Sequence, residues 1–263
     1  MMNPMTTDRP QFRLSARVLA ILAAAAAAVY CVVAAPASFV AALVIPTGAG
    51  VSIERTTGTI WNGAIEGVRA EGVLLGDISY ATNAFALLTG RLAASLDASG
   101  GALAGDGKAS IGVDGKAVVE EAQFIFELDA AARFAFLGAP LNGTVRADID
   151  RLVVSRMGCL ESEMTIRTDV LAAPAKRFAA EAFDLAGDAA CNGRNFVVSL
   201  AGEGGEGAVT LSLSISPNLA YTLIAEAQPA RTEVAEALQF LGFELTNGAL
   251  TIGTTGVIHS VRS

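Results

Sequence analysis

The segment VTLSLSIS, Val209–Ser216, shows most directly how this chain folds. Its apolar and small polar residues alternate without interruption, with Val209, Leu211, Leu213 and Ile215 apolar and Thr210, Ser212, Ser214 and Ser216 polar. Because successive side chains of a β-strand point to opposite faces of the sheet, this pattern predicts a strand with one dry face and one wet face.

Other segments after Val51 show the same alternation, or the turns that separate strands. TVRADID, Thr144–Asp150, alternates in the same way, and the glycine-rich GEGGEG, Gly202–Gly207, is typical of a hairpin tip. KASIGV lies between Asp106-Gly107 and Asp114-Gly115, two turn signals that predict the ends of a hairpin strand. We therefore expect a mainly β body with a largely antiparallel sheet.

Two segments depart from this alternation and predict short helices that pack on the sheet. In PARTEVAEALQFLG, Pro229 and Thr232 mark a helix start and Gly242 can end the helix, while Val234, Leu238 and Leu241 share one face. The second segment is DAAARFAFLG, Asp129–Gly138, which begins at an acidic N-cap candidate.

The ends of these two segments resemble each other and suggest an internal repeat. FLGAPLNGTV begins at Phe136 and FLGFELTNGALTI begins at Phe240, and each contains Phe-Leu-Gly, then Leu, then Asn-Gly, then an alternating strand. The repeat predicts that the body consists of two similar halves, about residues 51–150 and 151–256.

The N-terminal region has the composition of a membrane segment. The chain is 52% hydrophobic and 17% charged, and residues Val18–Ile53 contain no Asp, Glu, Lys or Arg. A bilayer is spanned by about 20 apolar residues, so residues 18–44 predict one transmembrane helix with its juxtamembrane segment. Three arginines against one aspartate in residues 1–17 predict a cytoplasmic tail. Residues 45–263 would then form a periplasmic domain.

A cleaved signal peptide is the alternative interpretation of this region. Its basic start, its apolar run and the small residues around Ala35 and Ala37 also suit a signal peptidase. Signal peptides have an apolar core of about 7–15 residues, which is shorter than the run seen here. We favour the anchor, and both interpretations export the body.

The exported body is acidic. The chain contains 18 Lys and Arg and 26 Asp and Glu, and setting aside the charges of the tail leaves 15 basic and 25 acidic residues, a net charge of −10. Such a surface repels nucleic acid and anionic lipid headgroups at long range, so the net charge favours neither as a partner.

The three cysteines have different surroundings. Cys31 lies inside the apolar N-terminal run, whereas Cys159 and Cys191 lie in the exported body. An oxidising periplasm would allow Cys159 and Cys191 to form a disulfide, and two buried free thiols are the alternative.

Residues for catalysis, metal binding or cofactor binding are scarce. The chain has one histidine, His259, near its C-terminus, so a histidine triad or a multi-histidine metal site is not expected. GALAGDGKAS lacks the glycine and the hydroxyl residue of a phosphate loop, because Ala102 and Ala109 occupy those positions. The acidic pairs Glu120-Glu121 and Asp148/Asp150 fit exposed strand positions. We therefore predict a protein that is not an enzyme and has no cofactor.

The tail, the membrane segment and the motif GTIWNGAIEGV together resemble the type II secretion system protein N family, also called general secretion pathway protein N. Gly58, Thr59, Trp61, Asn62 and Gly63 match the motif that opens the periplasmic region of that family. LTGRL, Leu88–Leu92, and EALQFLGFELTNGALTI, Glu236–Ile252, are also similar to it. Much of this chain carries glycine and alanine where the family has bulkier residues.

The resemblance implies a role in a Gram-negative inner membrane. Members of the family are accessories of the machinery that moves folded proteins across the outer membrane. The resemblance therefore implies other secretion-system subunits as partners, and it implies membrane attachment through the N-terminal helix. Its body is similar to the grooved AsmA-like folds implicated in lipid traffic, an analogy of fold alone. The alternative function is therefore a periplasmic carrier that binds lipid or another hydrophobic ligand.

Trp61, the one tryptophan, is expected near a chain reversal. Asn62-Gly63 favours a turn with positive φ, and Gly58 and Gly63 would let two strands approach closely. The indole ring would either cap the end of the β core or lie at a lipid or protein interface.

Overall fold

The structure is a computed structural model that describes residues 30, 34–38, 51–70, 72–128, 135–136, 139–140, 142–172, 175 and 181–257. The predicted tail, most of the predicted membrane segment, Cys31 and His259 lie outside these residues. No helix in the described ranges is long and apolar enough to cross a membrane.

Strands form most of the described chain. They are β1 (Val51–Ser52), β2 (Arg55–Gly58), β3 (Asn62–Ala70), β4 (Val73–Asn83), β5 (Arg91–Ser99), β6 (Leu103–Gly112), β7 (Ala117–Glu127), β8 (Ala135–Phe136), β9 (Ala139–Pro140), β10 (Thr144–Ser155), β11 (Gly158–Thr168), β12 (Leu185–Asn192), β13 (Asn195–Gly204), β14 (Gly207–Ile215), β15 (Ala220–Pro229), β16 (Glu244–Thr246) and β17 (Ala249–Val257).

One antiparallel sheet of 15 strands contains all of these except β8 and β9, which pair with each other. Its order is β1-β3-β4-β5-β6-β7-β10-β11-β12-β13-β14-β15-β17-β16, and β2 also pairs with β3. Nearly every strand therefore pairs with its neighbour in sequence. The mainly β, antiparallel prediction is confirmed, and the predicted strands VTLSLSIS and TVRADID fall in β14 and β10.

The boundary between the two predicted halves, at residues 150 and 151, lies inside β10. Hydrogen-bonded pairing continues from β7 through β10 to β11, so the sheet has no break there. The division into two similar halves stays a prediction.

The helix predicted in PARTEVAEALQFLG forms and ends at glycine. Helix α1 covers Thr232–Phe240, and Gly242 after it has φ +97°. The amides of Gly242 and Phe243 donate to the carbonyls of Gln239 and Leu238, as in a Schellman motif. Phe243 is buried beside Leu238, so the helix end is also closed by an apolar contact.

Two local predictions were wrong. The helix predicted over Asp129–Gly138 is wrong in its C-terminal part, where Ala135–Phe136 forms β8 and pairs with β9, while residues 129–134 lie outside the described residues. Asp106-Gly107 is not a turn, because both residues lie inside β6 beside a register shift in its pairing with β7. Gly107 is required there because a Cβ would collide with the Ala122 side chain. Strand β6 ends at the predicted second turn, Asp114-Gly115.

The sequence also did not predict a 3-10 helix, which covers Ala84–Thr89 between β4 and β5. The Asn83 side chain accepts a hydrogen bond from the Phe85 amide at its start, and Gly90 adopts a left-handed conformation at its end. This short element turns the chain at one margin of the sheet.

The buried residues form clusters along the sheet. The first contains Ile65, Val68 and Tyr80 and includes Ala37 from the N-terminal region. The largest surrounds Leu185, which is 1% exposed, and another lies beneath α1 around Leu250. Because each cluster contains only nearby strands, the hydrophobic core extends along the sheet.

Candidate functional site

One face of the sheet presents a row of apolar residues that crosses twelve strands. Each member pairs directly with the next, and directly opposed residues of antiparallel strands point to the same face. We call these residues the apolar row: Ile65, Ile78, Ala98, Gly105, Phe124, Ala147, Ile166, Gly187, Leu200, Leu211, Ala225 and Ile252. All twelve are buried or half-buried. The alternation seen in single strands is thus in register across nearly the whole sheet.

The apolar row is covered at both ends. At the β3 end, Ala37 packs against Ile65, and at the β17 end Ala235 and Leu238 of α1 pack near Ala225. Val170 and Leu171, which follow β11, contact the cluster near Ile166. The row is therefore continuous, and its described covering elements are few.

The opposite face presents a polar row displaced by one residue in each strand. Nine of its twelve members are polar and four are aspartates: Ala64, Ser79, Asp97, Asp106, Gln123, Asp148, Thr165, Asp188, Ser199, Ser212, Ile224 and Gly253. Most of these residues are exposed. The sheet thus has two chemically different faces.

Four charged residues of alternating sign lie in register on the polar face: Lys108, Glu120, Arg151 and Glu163. Arg151 forms ion pairs with Glu120 and, at 3.1 Å, with Glu161, and Lys108 pairs with Glu121. Hydrogen bonding to Glu161 raises the pKa of Arg151, and hydrogen bonding to Glu121 raises the pKa of Lys108. These exposed pairs contribute to register more than to stability.

One extra residue in β7 and one in β10 keep these charges off the apolar face. Glu120 and Arg151 lie two positions from Ala122 and Ile149, which are buried, so regular alternation would bury the charges as well. Register shifts beside Glu121 in β7 and Asp150 in β10 reverse that alternation. Glu121 has φ +48°, as expected for an irregular position. The acidic pair Glu120-Glu121 noted in the sequence therefore forms part of a structural ion-pair set.

The motif GTIWNG forms the hairpin between β2 and β3, with Gly58 directly opposite Gly63. The carbonyls of its three turn residues, Thr59, Ile60 and Trp61, all accept hydrogen bonds from β4. Tyr80 donates its hydroxyl to Thr59 at 2.8 Å, and Thr82 donates its hydroxyl to Ile60 at 2.8 Å and its amide to Trp61 at 2.7 Å. Burial raises the pKa of Tyr80, which keeps its hydroxyl protonated as a donor.

The glycines of the motif have different roles from those predicted. Gly58 has the positive φ, +89°, whereas Asn62 and Gly63 begin β3 without it. A Cβ at Gly63 would lie 2.8 Å from the Tyr80 hydroxyl and 2.6 Å from the Thr57 carbonyl, so glycine makes room for Tyr80. The chain reversal at Trp61 is confirmed, and Tyr80 and Thr82, which fix it, were missed. Their only signal in the sequence was a strand carrying hydroxyl side chains.

The N-terminal region meets this same hairpin. The Ile60 amide donates to the Ala35 carbonyl at 3.0 Å, and Pro36 forms an isolated bridge with Thr59. Ala35 and Pro36, which belong to the predicted segment 18–44, therefore lie beside the Trp61 turn.

Cys159 and Cys191 form a disulfide, with their Cα atoms 5.5 Å apart, as predicted. It joins β11 to β12 beyond the last backbone pair of those strands, Met164 with Ala189. These strands share five residue pairs, fewer than the neighbouring strand pairs on either side. The covalent bond thus reinforces a joint at which backbone pairing is shorter than at the joints on either side.

Within the ranges that the structure describes, no three His, Cys, Asp or Glu side chains are grouped so as to hold a metal ion. The features that could act in binding are therefore the two faces of the sheet, the Trp61 hairpin and the exposed turns.

Trp61 is half-buried. Its exposure is thus intermediate between that of a ring capping the β core and that of a ring at a lipid or protein interface, the two environments predicted. Replacing Trp61 by alanine should lower the free energy of unfolding by about 1–3 kcal/mol, less than for a fully enclosed ring. Denaturation followed by circular dichroism would measure this, with Trp61→Phe as a control that keeps most of the apolar contact. An unchanged denaturation midpoint in Trp61→Ala would show that the ring does not stabilise the hairpin.

The family model described as type II secretion system (T2SS), protein N, matches residues 49–253, which is 205 of the 263 residues. No curated protein and no solved structure matches the chain. The matched range runs from just before β1 into β17 and so includes both faces of the sheet.

Proposed function

The chain belongs to the type II secretion system protein N family, and from this premise we propose that it is an inner-membrane accessory of the secretion machinery, with a periplasmic sheet that binds other subunits. The observation that carries the proposal is the extent of the family match, which includes almost the whole sheet. The relationship therefore concerns the body that would contact partners.

The polar face is the surface best suited to bind a secretion subunit. Asp97, Asp106, Asp148 and Asp188 are exposed and lie in one row. Asp97 is directly opposite Asp106, and single polar residues, Gln123 and Thr165, separate the other neighbours. Aligned carboxylates complement a basic partner surface, and such complementarity affects partner choice and association rate more than affinity.

Full-length protein purified in mild detergent from cells with an intact secretion system should retain other subunits of that system. Asp148→Lys with Asp188→Lys should reduce that association at unchanged stability, because both side chains are exposed. Glu233→Lys with Glu236→Lys on α1 is the matched control, because it makes the same charge change outside the polar face. Equal recovery of the subunits by both double variants would contradict the role of the polar face, and recovery of none by the parent protein would contradict the scaffold proposal.

The apolar row supports a second candidate, a carrier of lipid or another hydrophobic ligand. Twelve strands present apolar or glycine positions in register, and a surface this continuous can accommodate an acyl chain along the sheet. Phospholipid that stays with purified protein after delipidation would favour the carrier. Lipid-free protein that still binds secretion subunits would favour the scaffold.

A further inference from the structure

Three large apolar side chains are exposed together at one corner of the sheet. Phe85 and Leu87 of the 3-10 helix are 80% and 44% exposed, and Val113, in the turn after β6, is 93% exposed. The Val113 amide donates to the Gly90 carbonyl at 3.1 Å, which joins the two turns. We call these three residues the corner patch. Exposed apolar residues that lie together mark a binding surface more often than residues scattered singly.

The corner patch lies beside the point where the N-terminal region reaches the sheet. The 3-10 helix begins one residue after Asn83, and Thr82 donates its amide to the Trp61 carbonyl. The same hairpin is hydrogen-bonded to Ala35, the last residue before Pro36 in the long uncharged segment. Taking Pro36 as the end of the membrane helix and residues 36–44 as its juxtamembrane segment places this corner at the lipid headgroups.

The charges at this margin differ from those of the body as a whole. The turns on the Trp61 side and the adjoining strand ends carry Arg91, Lys116, Arg156 and Arg194 against Asp114, which forms an exposed ion pair with Lys116 at 3.0 Å. The described connections at the opposite margin carry Asp169, Glu181, Asp184, Glu206, Glu233 and Glu236 against Arg231. Although the body as a whole has a net charge of −10, the described turns and strand ends on the Trp61 side are therefore net basic.

The turn between β10 and β11 repeats this composition. Arg156 and Met157 form it, and Met157 is 60% exposed. Basic side chains interspersed with large apolar ones are typical of segments that lie in a membrane interface, where the apolar groups enter the acyl boundary and the cations contact phosphates.

We infer that the corner patch rests on the periplasmic surface of the membrane, with Phe85, Leu87 and Val113 in the headgroup region and Arg91 and Lys116 against lipid phosphates. This inference rests on the proposed inner-membrane anchor. It gives the sheet a fixed orientation, because two contacts, the anchor and the corner patch, now restrain its tilt.

The inference can be tested with one tryptophan probe placed at each margin of the full-length protein. In a Trp61→Phe background, Phe85→Trp reports on the corner patch. Phe240→Trp is the matched control, because Phe240 is 92% exposed at the opposite margin. Each variant is reconstituted in phosphatidylethanolamine and phosphatidylglycerol vesicles with and without bromine on the acyl chains.

The probe at position 85 should lose about half of its emission in brominated vesicles and shift to the blue, whereas the probe at 240 should change little. Val113→Trp should give the same result as Phe85→Trp. Agreement between the two probes would show that the quenching does not come from a local disturbance caused by one substitution. Equal emission from position 85 in both kinds of vesicle, or equal quenching at 85 and 240, would overturn the inference. Carbonate extraction after the fluorescence measurement tests the anchor separately, because release of the protein contradicts the anchor whatever the quenching.

Discussion

Replacing Leu185 by alanine should lower the free energy of unfolding by about 2–5 kcal/mol. Leu185 is 1% exposed, and its cluster includes Ile166, Ala189, Val198 and Leu200 from three different strands. Truncation leaves a cavity that those strands cannot close without losing backbone pairing. Since domains of this size are stable by about 5–15 kcal/mol, the loss should also reduce the amount of folded protein in the cell.

Urea denaturation followed by circular dichroism would measure this loss. Circular dichroism is preferred to tryptophan fluorescence because Trp61 lies beside β3, seven strands away from β12 in the sheet, and reports only on its own surroundings. Leu245→Ala is the matched control, since Leu245 is 68% exposed in the edge strand β16. The control should change stability by no more than about 0.5 kcal/mol. If both variants unfold at the same urea concentration, the cluster around Leu185 is not a principal source of stability.

Removing the disulfide by Cys159→Ala with Cys191→Ala should have an effect of similar size. The two cysteines are 32 positions apart, and the chain-entropy model gives about 3–4 kcal/mol for closing such a loop. The joint between β11 and β12 has five residue pairs, so few backbone hydrogen bonds compensate for the lost covalent bond. We expect a lower denaturation midpoint and earlier proteolysis of the connection after β11.

Cys31→Ala provides the control for the disulfide, because it also removes a thiol but leaves the bond intact. Adding a reductant to the parent protein should reproduce the double variant and leave that variant unchanged. Identical midpoints for the parent protein with and without reductant would show that the disulfide does not stabilise the sheet.

The sequence was sufficient for the fold class because single strands carry strong signals. Val209–Ile215 alternates perfectly, and the structure places it in β14. The extent of the sheet was not predictable, because strand order and register depend on pairing that no single strand specifies. Gly105 and Gly187 illustrate the difficulty, since each occupies an apolar-row position without an apolar side chain to mark it.

The errors arose where one short signal has two structural meanings. Asp-Gly predicts a turn at Asp114 correctly, but at Asp106 the same dipeptide accompanies an irregular strand pairing. The pattern around Phe136 fits a helix over too few residues to exclude a strand. For the candidate site, the Trp61 turn was predictable, whereas the donors from Tyr80 and Thr82 come from a different hairpin strand and required the tertiary structure.

The order of the strands bears on how this protein is made. Within β2–β7 and within β10–β15, consecutive strands of the chain pair with each other. The proposed export of the body, with its N-terminal end first, would therefore deliver each of these strands beside a partner that is already in place. We expect assembly to proceed vectorially, hairpin by hairpin, with one unpaired edge advancing towards the C-terminus and little need to hold the exported chain unfolded.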